Sequence, residues 1–210
     1  MVFSATSASA AIGNGDPMTF LVKQGLYALV GLALLLVLSR VDYHRVRPAA
    51  PMLLVGSLVL CAAVLVASPA INGAHRWFVL GSISVQPSEI AKLALCIWLC
   101  WHLSRRRAPQ TMGELMRPVG WIVLAFAALI MLEPDLGTTI ALVLMVTSVL
   151  IVSGIPNGLL VRALGAAIAL GAIGIWMEPY RRARFFAFLD PWKDPEGNGF
   201  QVVQALIGIG

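Results

Sequence analysis

Three polar patches interrupt an otherwise apolar chain, and their residue types suit work on an anionic substrate at a membrane. The first is NGAHRWFVLGSISVQPSEIAK, Asn72 to Lys92, which offers Arg76 and Trp77 and then Gln86, Ser88, Glu89 and Lys92. Pro87 or Ser88 suits the first turn of a helix, where proline and acids are favoured. Glu89 and Lys92, spaced i, i+3, share one helix face, an arrangement that also serves as a simple solvated ion pair. The second patch is LEPDLGTT, Leu132 to Thr139. Pro134 and Gly137 dictate a tight break, which sets Glu133 and Asp135 at a membrane boundary. Short helices meeting at polar residues can line a substrate cavity; Asp135 can equally cap the helix that follows.

The third patch, EPYRRARFFAFLDPWKDPEGNGFQ, runs from Glu178 to Gln201. Arg181, Arg182 and Arg184 could grip an anionic group through bidentate hydrogen bonds. Phe185, Phe186, Phe188 and Trp192 suit the headgroup level, where aromatic rings collect. Asp190-Pro191 and Asp194-Pro195 break helix and hold two carboxylates in a constrained segment. A purely solvated loop has no need of the aromatics, and a lipid-facing one would not tolerate the charge. The mixture therefore points to a surface for an amphiphile with an anionic head.

Those patches must be positioned by membrane-spanning elements. Of the 210 residues, 59% are hydrophobic and 12% charged, about half the roughly 25% charge of a soluble domain. Continuous apolar runs in a bilayer satisfy their backbone as helices. Six runs emerge: Phe20 to Ser39, Pro51 to Ser68, Ile90 to Leu103, Val119 to Leu132, Thr138 to Ser153, and Leu159 to Met177. A seventh begins at Val202. The fold class is therefore all-α, a polytopic transmembrane helix bundle with about six complete spans and partial spans at both ends. Residues 1–210 form one membrane domain, a fragment of a longer protein, with 178–201 as a large extracytoplasmic loop.

Basic residues divide eight against seven between the two sides, which decides nothing, but before Glu178 the division is eight against three. By the positive-inside rule, the Arg105–Arg107 side is cytoplasmic and all three polar patches are external. Cys61, Cys96 and Cys100 sit in apolar runs and read as packing residues. The N-terminal stretch lacks a basic n-region and a long apolar core, so it is a poor signal peptide and reads as the end of a helix.

In this order, NGAHRW, QPSEIAK, EPDLGTT and EPYRRARFFAFLDPWKDPEGNGFQVVQALIGIG resemble the SEDS family of bacterial cell-shape, division and sporulation proteins, which includes FtsW, RodA and SpoVE. The Asn-Gly-Ala before Arg76, the Glu-Pro-Tyr and the Pro-Trp are more similar to the division branch than to the elongation branch. The resemblance implies a peptidoglycan glycosyltransferase that polymerises lipid II at the outer face of the cytoplasmic membrane, at the division septum. It implies as partners lipid II, a class B penicillin-binding protein, other divisome membrane proteins and membrane lipid, and no nucleic acid. It implies a catalytic aspartate in the Asp-Pro ahead of EGNGFQ, which is Asp194; Asp190 is the second candidate. Phe200 stands where the family commonly has Tyr.

Such chemistry needs a base for the acceptor hydroxyl and positive charge for the departing pyrophosphate. Arg76, Trp77, Gln86, Ser88, Glu89, Lys92, Asp135, Arg181, Arg182, Arg184, Trp192 and Gln201 are the expected substrate-binding residues. No cofactor is certain from the residues; a divalent cation, Mg or Mn, could share the phosphate work, although no ligand set is legible. Two other functions fit the same residues. A lipid II flippase would use Glu89 and Lys92 to mark a polar pathway, and a non-catalytic divisome scaffold would not need Asp194.

Overall fold

The computed structural model describes residues 17–68, 76–80, 83–193, 197 and 200–209. The expectations placed on the N-terminal stretch and on Asp194 lie outside the described residues. The chain divides into two compact units, residues 1–48 and 49–210. The first unit carries helix α1, Pro17–Ser39, followed by a short turn, Tyr43–Val46, which Asp42 caps by accepting from the His44 backbone N–H.

In the second unit, α2 (Ala50–Ala67) leads to an antiparallel hairpin of β1 (Phe78–Leu80) and β2 (Ile83–Val85). Helix α3 (Pro87–Leu103) follows, then a short turn, Met112–Leu115, that continues through a kinked segment, Met116–Gly120, into α4 (Trp121–Leu132). Next come α5 (Leu136–Val152), α6 (Asn157–Met177), α7 (Pro179–Leu189), a 3-10 turn at Pro191–Lys193, and α8 (Phe200–Ile209). A helix thus stands at each of the six expected runs. The fourth is longer than expected: Thr111 caps its start by accepting from the Glu114 N–H, and the chain bends at Pro118, which has no N–H to give, without ending the span.

Tyr43–Ala67, Met112–Leu132 and Asn157–Met177 are long and apolar enough to cross a membrane; Gln24–Ser39 and Leu136–Val152 are shorter apolar helices. Apolar side chains cover the outside as well as the inside: Leu35, Val66, Val152 and Met177 are all exposed. A soluble domain would not present such a surface, but lipid would. The chain is a multi-pass helical membrane protein.

The packing seams are helical in spacing. On α2 the buried residues are Ala50, Leu54, Ser57, Cys61 and Val64, at alternating steps of four and three. Three of those five are small, which lets neighbouring backbones approach closely where lipid removes most of the hydrophobic drive to associate. Cys61 is wholly buried, Cys96 half-buried and Cys100 exposed, all as free thiols. Helix α3 packs against α2 and α5, and α4 packs against both α2 and α5. Leu95, Leu99, Phe126, Ile130 and Leu142 fill the centre. The break between α4 and α5 is held at one end of this four-helix core.

The segment expected as a loop from Glu178 onward contains α7. Pro179 occupies the first helical turn, where a missing N–H costs nothing. Thereafter Ala187 is buried while Phe185 and Phe186 stay exposed. The charge of this stretch concealed its period.

Candidate functional site at the break between two spans

The polar patches converge on Met131–Asp135. Asp135 is the N-cap of α5: its Oδ1 accepts from the Thr138 backbone N–H at 3.0 Å and its Oδ2 from the Thr138 hydroxyl at 2.8 Å. The same Oδ2 accepts from Gln86 Nε2 at 3.0 Å. Gln86 is itself the residue that precedes α3, with Pro87 in the first turn. One carboxylate therefore ties the starts of two helices together. Burial opposes its ionisation, but the Thr138 hydrogen bonds, the Arg76 charge and the Gln86 amide outweigh that and hold its pKa below the usual aspartate value. The cap foreseen for Asp135 is present, and Gln86 is what the sequence spacing could not add.

Arg76 comes from the segment before β1. Its Nε donates to the backbone carbonyl of Glu133 at 2.6 Å and its Nη2 to that of Pro134 at 2.5 Å. From the opposite direction in the chain, Arg181 of α7 donates through Nη2 to the Met131 carbonyl at 2.5 Å and through Nη1 to the Gly174 carbonyl at 3.0 Å. The last carbonyls of a helix lack intrahelical donors and carry the negative end of its dipole. Two guanidinium groups, separated by about a hundred residues of sequence, therefore close the C-terminal end of α4. Both were expected to bind substrate; here both bind main chain.

Glu133 lies beneath this clasp and is 0% exposed. Neither carboxyl oxygen has a hydrogen-bond partner among the described residues. Burial, and then the nearby Asp135 charge, push its pKa up to about 7, with Arg76 pulling the other way. Sequence reasoning treated Glu133 as a boundary carboxylate like Asp135, because their separation by one proline gives no sign of which is turned inward.

Of the remaining expected residues, Lys92 Nζ pairs with Glu89 Oε1 at 2.8 Å, on a partly exposed face of α3. Exposed pairs of this kind contribute about 0.2–1 kcal/mol, so their side chains remain free to re-pair with a ligand. Ser88 is fully buried and its hydroxyl has no partner among the described residues. Trp77 is exposed beside the hairpin, and Trp192 is exposed in the 3-10 turn. Arg182 lies 6.0 Å from the Trp176 ring centroid, within cation–π range. Arg184 belongs to α7 and Gln201 to α8; their side chains are outside what is described. No cluster of three His, Cys, Asp or Glu side chains suited to a metal occurs among the described residues.

The hairpin was not foreseen, although Gly81-Ser82 between two short apolar runs is a hairpin signal. Its register, Phe78 opposite Val85 and Leu80 opposite Ile83, carries the chain from Arg76 directly back to Gln86. Both residues then reach the same break.

Two measurements follow from this geometry. Ser88→Ala is expected to leave the melting temperature unchanged or slightly raised, because a buried hydroxyl without a partner gains nothing for the fold; a fall of several degrees would show that the hydroxyl is bonded. The second concerns pH. Glu133 has a folded-state pKa above its ordinary 4.5, so between the two values the folded chain holds more protons than the unfolded one. Stability must fall as pH rises through that window, by up to about 3 kcal/mol. Asp135, with a depressed pKa, acts oppositely: its contribution is present above the ordinary aspartate value and is lost as pH falls through the folded one. Melting in detergent should therefore peak in mild acid and decline on both sides, and Glu133→Gln should remove the decline on the alkaline side.

A bundle of apolar helices with a clasped, charged break at one end defines a multi-pass membrane protein built to present polar groups at the bilayer surface. The family described as cell cycle protein, the FtsW, RodA and SpoVE group, matches residues 1–210, and the chain belongs to that family. It is 36% identical over 214 residues to the probable peptidoglycan glycosyltransferase FtsW of Halorhodospira halophila, covering all of this chain and 54% of that protein. It is 38% identical over 215 residues to that of Nitrosococcus halophilus, covering all of this chain and 55% of the relative. The chain thus spans about half the length of the curated relatives it matches. Among solved structures, a peptidoglycan synthase complex described for structural coordination of polymerization and crosslinking contains a chain that matches all of this one at 35% identity. The match covers 63% of that chain, with a TM-score of 0.76. The Thermus thermophilus rod shape determining protein RodA matches 80% of this chain and 56% of its own at 31% identity, with a TM-score of 0.63.

Proposed function

We propose that the whole protein containing this chain is a peptidoglycan glycosyltransferase that polymerises lipid II during septal wall synthesis, working beside a class B penicillin-binding protein in the bacterial inner membrane. The observation that carries the reading is the convergence of three polar patches on the α4–α5 break. Arg76 and Gln86 reach it from one side and Arg181 from the other. The names of the relatives support the activity, and the likeness to a synthase complex supports a cross-linking partner.

In the reaction, the Asp194 carboxylate takes the proton from the 4-hydroxyl of the acceptor sugar. That oxygen attacks the anomeric carbon of the donor, and the bond from that carbon to the pyrophosphate oxygen breaks. The electron pair departs on undecaprenyl pyrophosphate, and the anomeric carbon is inverted by direct displacement. With Arg76 and Arg181 occupied at main-chain carbonyls, the charge facing the phosphates falls to Lys92, Arg182 and Arg184. Lys92 can exchange Glu89 for a phosphate at little cost, since its present ion pair is partly exposed. A flippase reading draws on the same Glu89–Lys92 pair. The two differ in product: a polymerase converts lipid II in detergent, where no sealed compartment exists. The full-length protein incubated with lipid II in detergent is expected to yield glycan that a muramidase digests; lipid II recovered unconverted would contradict the reading.

A further inference from the structure

Glu133 is the only acidic side chain among the described residues that is completely buried. What surrounds it is informative. The nearest guanidinium, Arg76, spends Nε and Nη2 on the carbonyls of Glu133 and Pro134 rather than on the carboxyl group. The second guanidinium at this helix end, Arg181, is committed to Met131 and Gly174. From α2, Cys61 is close enough to interact electrostatically with Glu133, and from the start of α5 Asp135 adds a like charge. Facing the carboxyl group are therefore one cation already engaged, one anion and one thiol. A buried carboxylate with no donor would be costly, and it would compete with the two carbonyls for Arg76.

We propose that Glu133 is kept as a neutral acid and serves as a positioning residue, holding the β1–β2 hairpin to the α4–α5 break by leaving Arg76 on the main-chain carbonyls. When Glu133 loses its proton, the new charge draws Arg76 away from the carbonyls of Glu133 and Pro134. The hairpin is tied to the break at two points, Arg76 before β1 and Gln86 after β2, so losing the first leaves it hinged on the second. Trp77, exposed next to Arg76, moves with it. The consequence for catalysis rests on the glycosyltransferase reading; the proton and the hairpin do not, and both can be measured without substrate.

The test uses the full-length protein in nanodiscs, wild type and Glu133→Gln, titrated from about pH 5 to about pH 9. Infrared difference spectra should show the carbonyl stretch of a protonated carboxylic acid that disappears on the alkaline side in wild type and is missing from Glu133→Gln. Hydrogen exchange in Phe78–Val85, corrected for the intrinsic pH dependence of exchange, should accelerate at least about tenfold as that band is lost. In Glu133→Gln, whose amide stays neutral throughout, the corrected exchange should stay slow. Absence of the acid band from wild type at the acid end would overturn the neutral-acid assignment, whatever the variant does. A band that titrates while hairpin exchange remains flat, or changes identically in both proteins, would overturn the positioning role. If the hairpin responds as stated but lipid II is not polymerised, the proposal stands and the glycosyltransferase reading fails.

Discussion

Asp194→Asn is expected to abolish glycan formation while leaving the protein in the membrane at its normal level. Asparagine keeps the size and polarity of the side chain and removes only its basicity. A positioned general base contributes about 10²–10⁴-fold to a rate, so a base assigned correctly should cost at least that much when neutralised. The pyrophosphate is already a good leaving group, and that makes the acceptor proton the main demand on protein chemistry. Asp190→Asn is the internal comparison. Asp190 follows α7 directly, its N–H bonded to the Phe186 carbonyl at 2.9 Å, and it is exposed. Its loss should lower activity only modestly. Equal losses in the two variants would mean that the Asp-Pro steps act as a structural pair rather than as one base and one turn.

The second large effect concerns Arg76. Arg76→Ala removes two charge-assisted hydrogen bonds, at 2.6 and 2.5 Å, each contributing about 1.5–3 kcal/mol. It also strips two terminal carbonyls of α4 of a donor. The expected loss in unfolding free energy is on the order of 3–5 kcal/mol, read as a fall in melting temperature of the detergent-solubilised protein. Polymerisation should fall with it, because the hairpin and the start of α3, which carries Glu89 and Lys92, lose one of their two ties to the break and keep only Gln86. Arg76→Lys should recover little: one ammonium cannot span two carbonyls as a planar fork does. Full recovery by lysine would show that a positive charge suffices and that the fork geometry is incidental.

How much of this was legible in the chain varies by the range of the interaction. The spans were, because lipid demands apolar runs and each run is local. So were the local polar devices: Pro87 opening α3, the Glu89–Lys92 pair, and Asp135 capping α5 all depend on residues within four positions of one another. Helix α7 was not, since the basic block Arg181–Arg184 followed by the Phe185-Phe186 pair shows no burial period. Nor was the clasp. Arg76 meets Glu133 across 57 positions and Arg181 meets Met131 across 50, and nothing in the local sequence marks an arginine for a main-chain carbonyl rather than a phosphate. The inward turn of Glu133 is likewise decided by how α2, α4 and α5 pack. Residue types located the candidate site; only the fold shows that Arg76 and Arg181 hold the backbone.

Glycosyl transfer on lipid II is tested most directly by incubating the full-length protein and a class B penicillin-binding protein with lipid II in detergent, wild type beside Asp194→Asn, and separating the products by strand length. Glycan strands that lengthen with time are expected from wild type, and unchanged lipid II from the variant. Lipid II left intact by wild type in detergent but carried across the bilayer of sealed vesicles would contradict the glycosyltransferase reading, and so would strands made equally well by both.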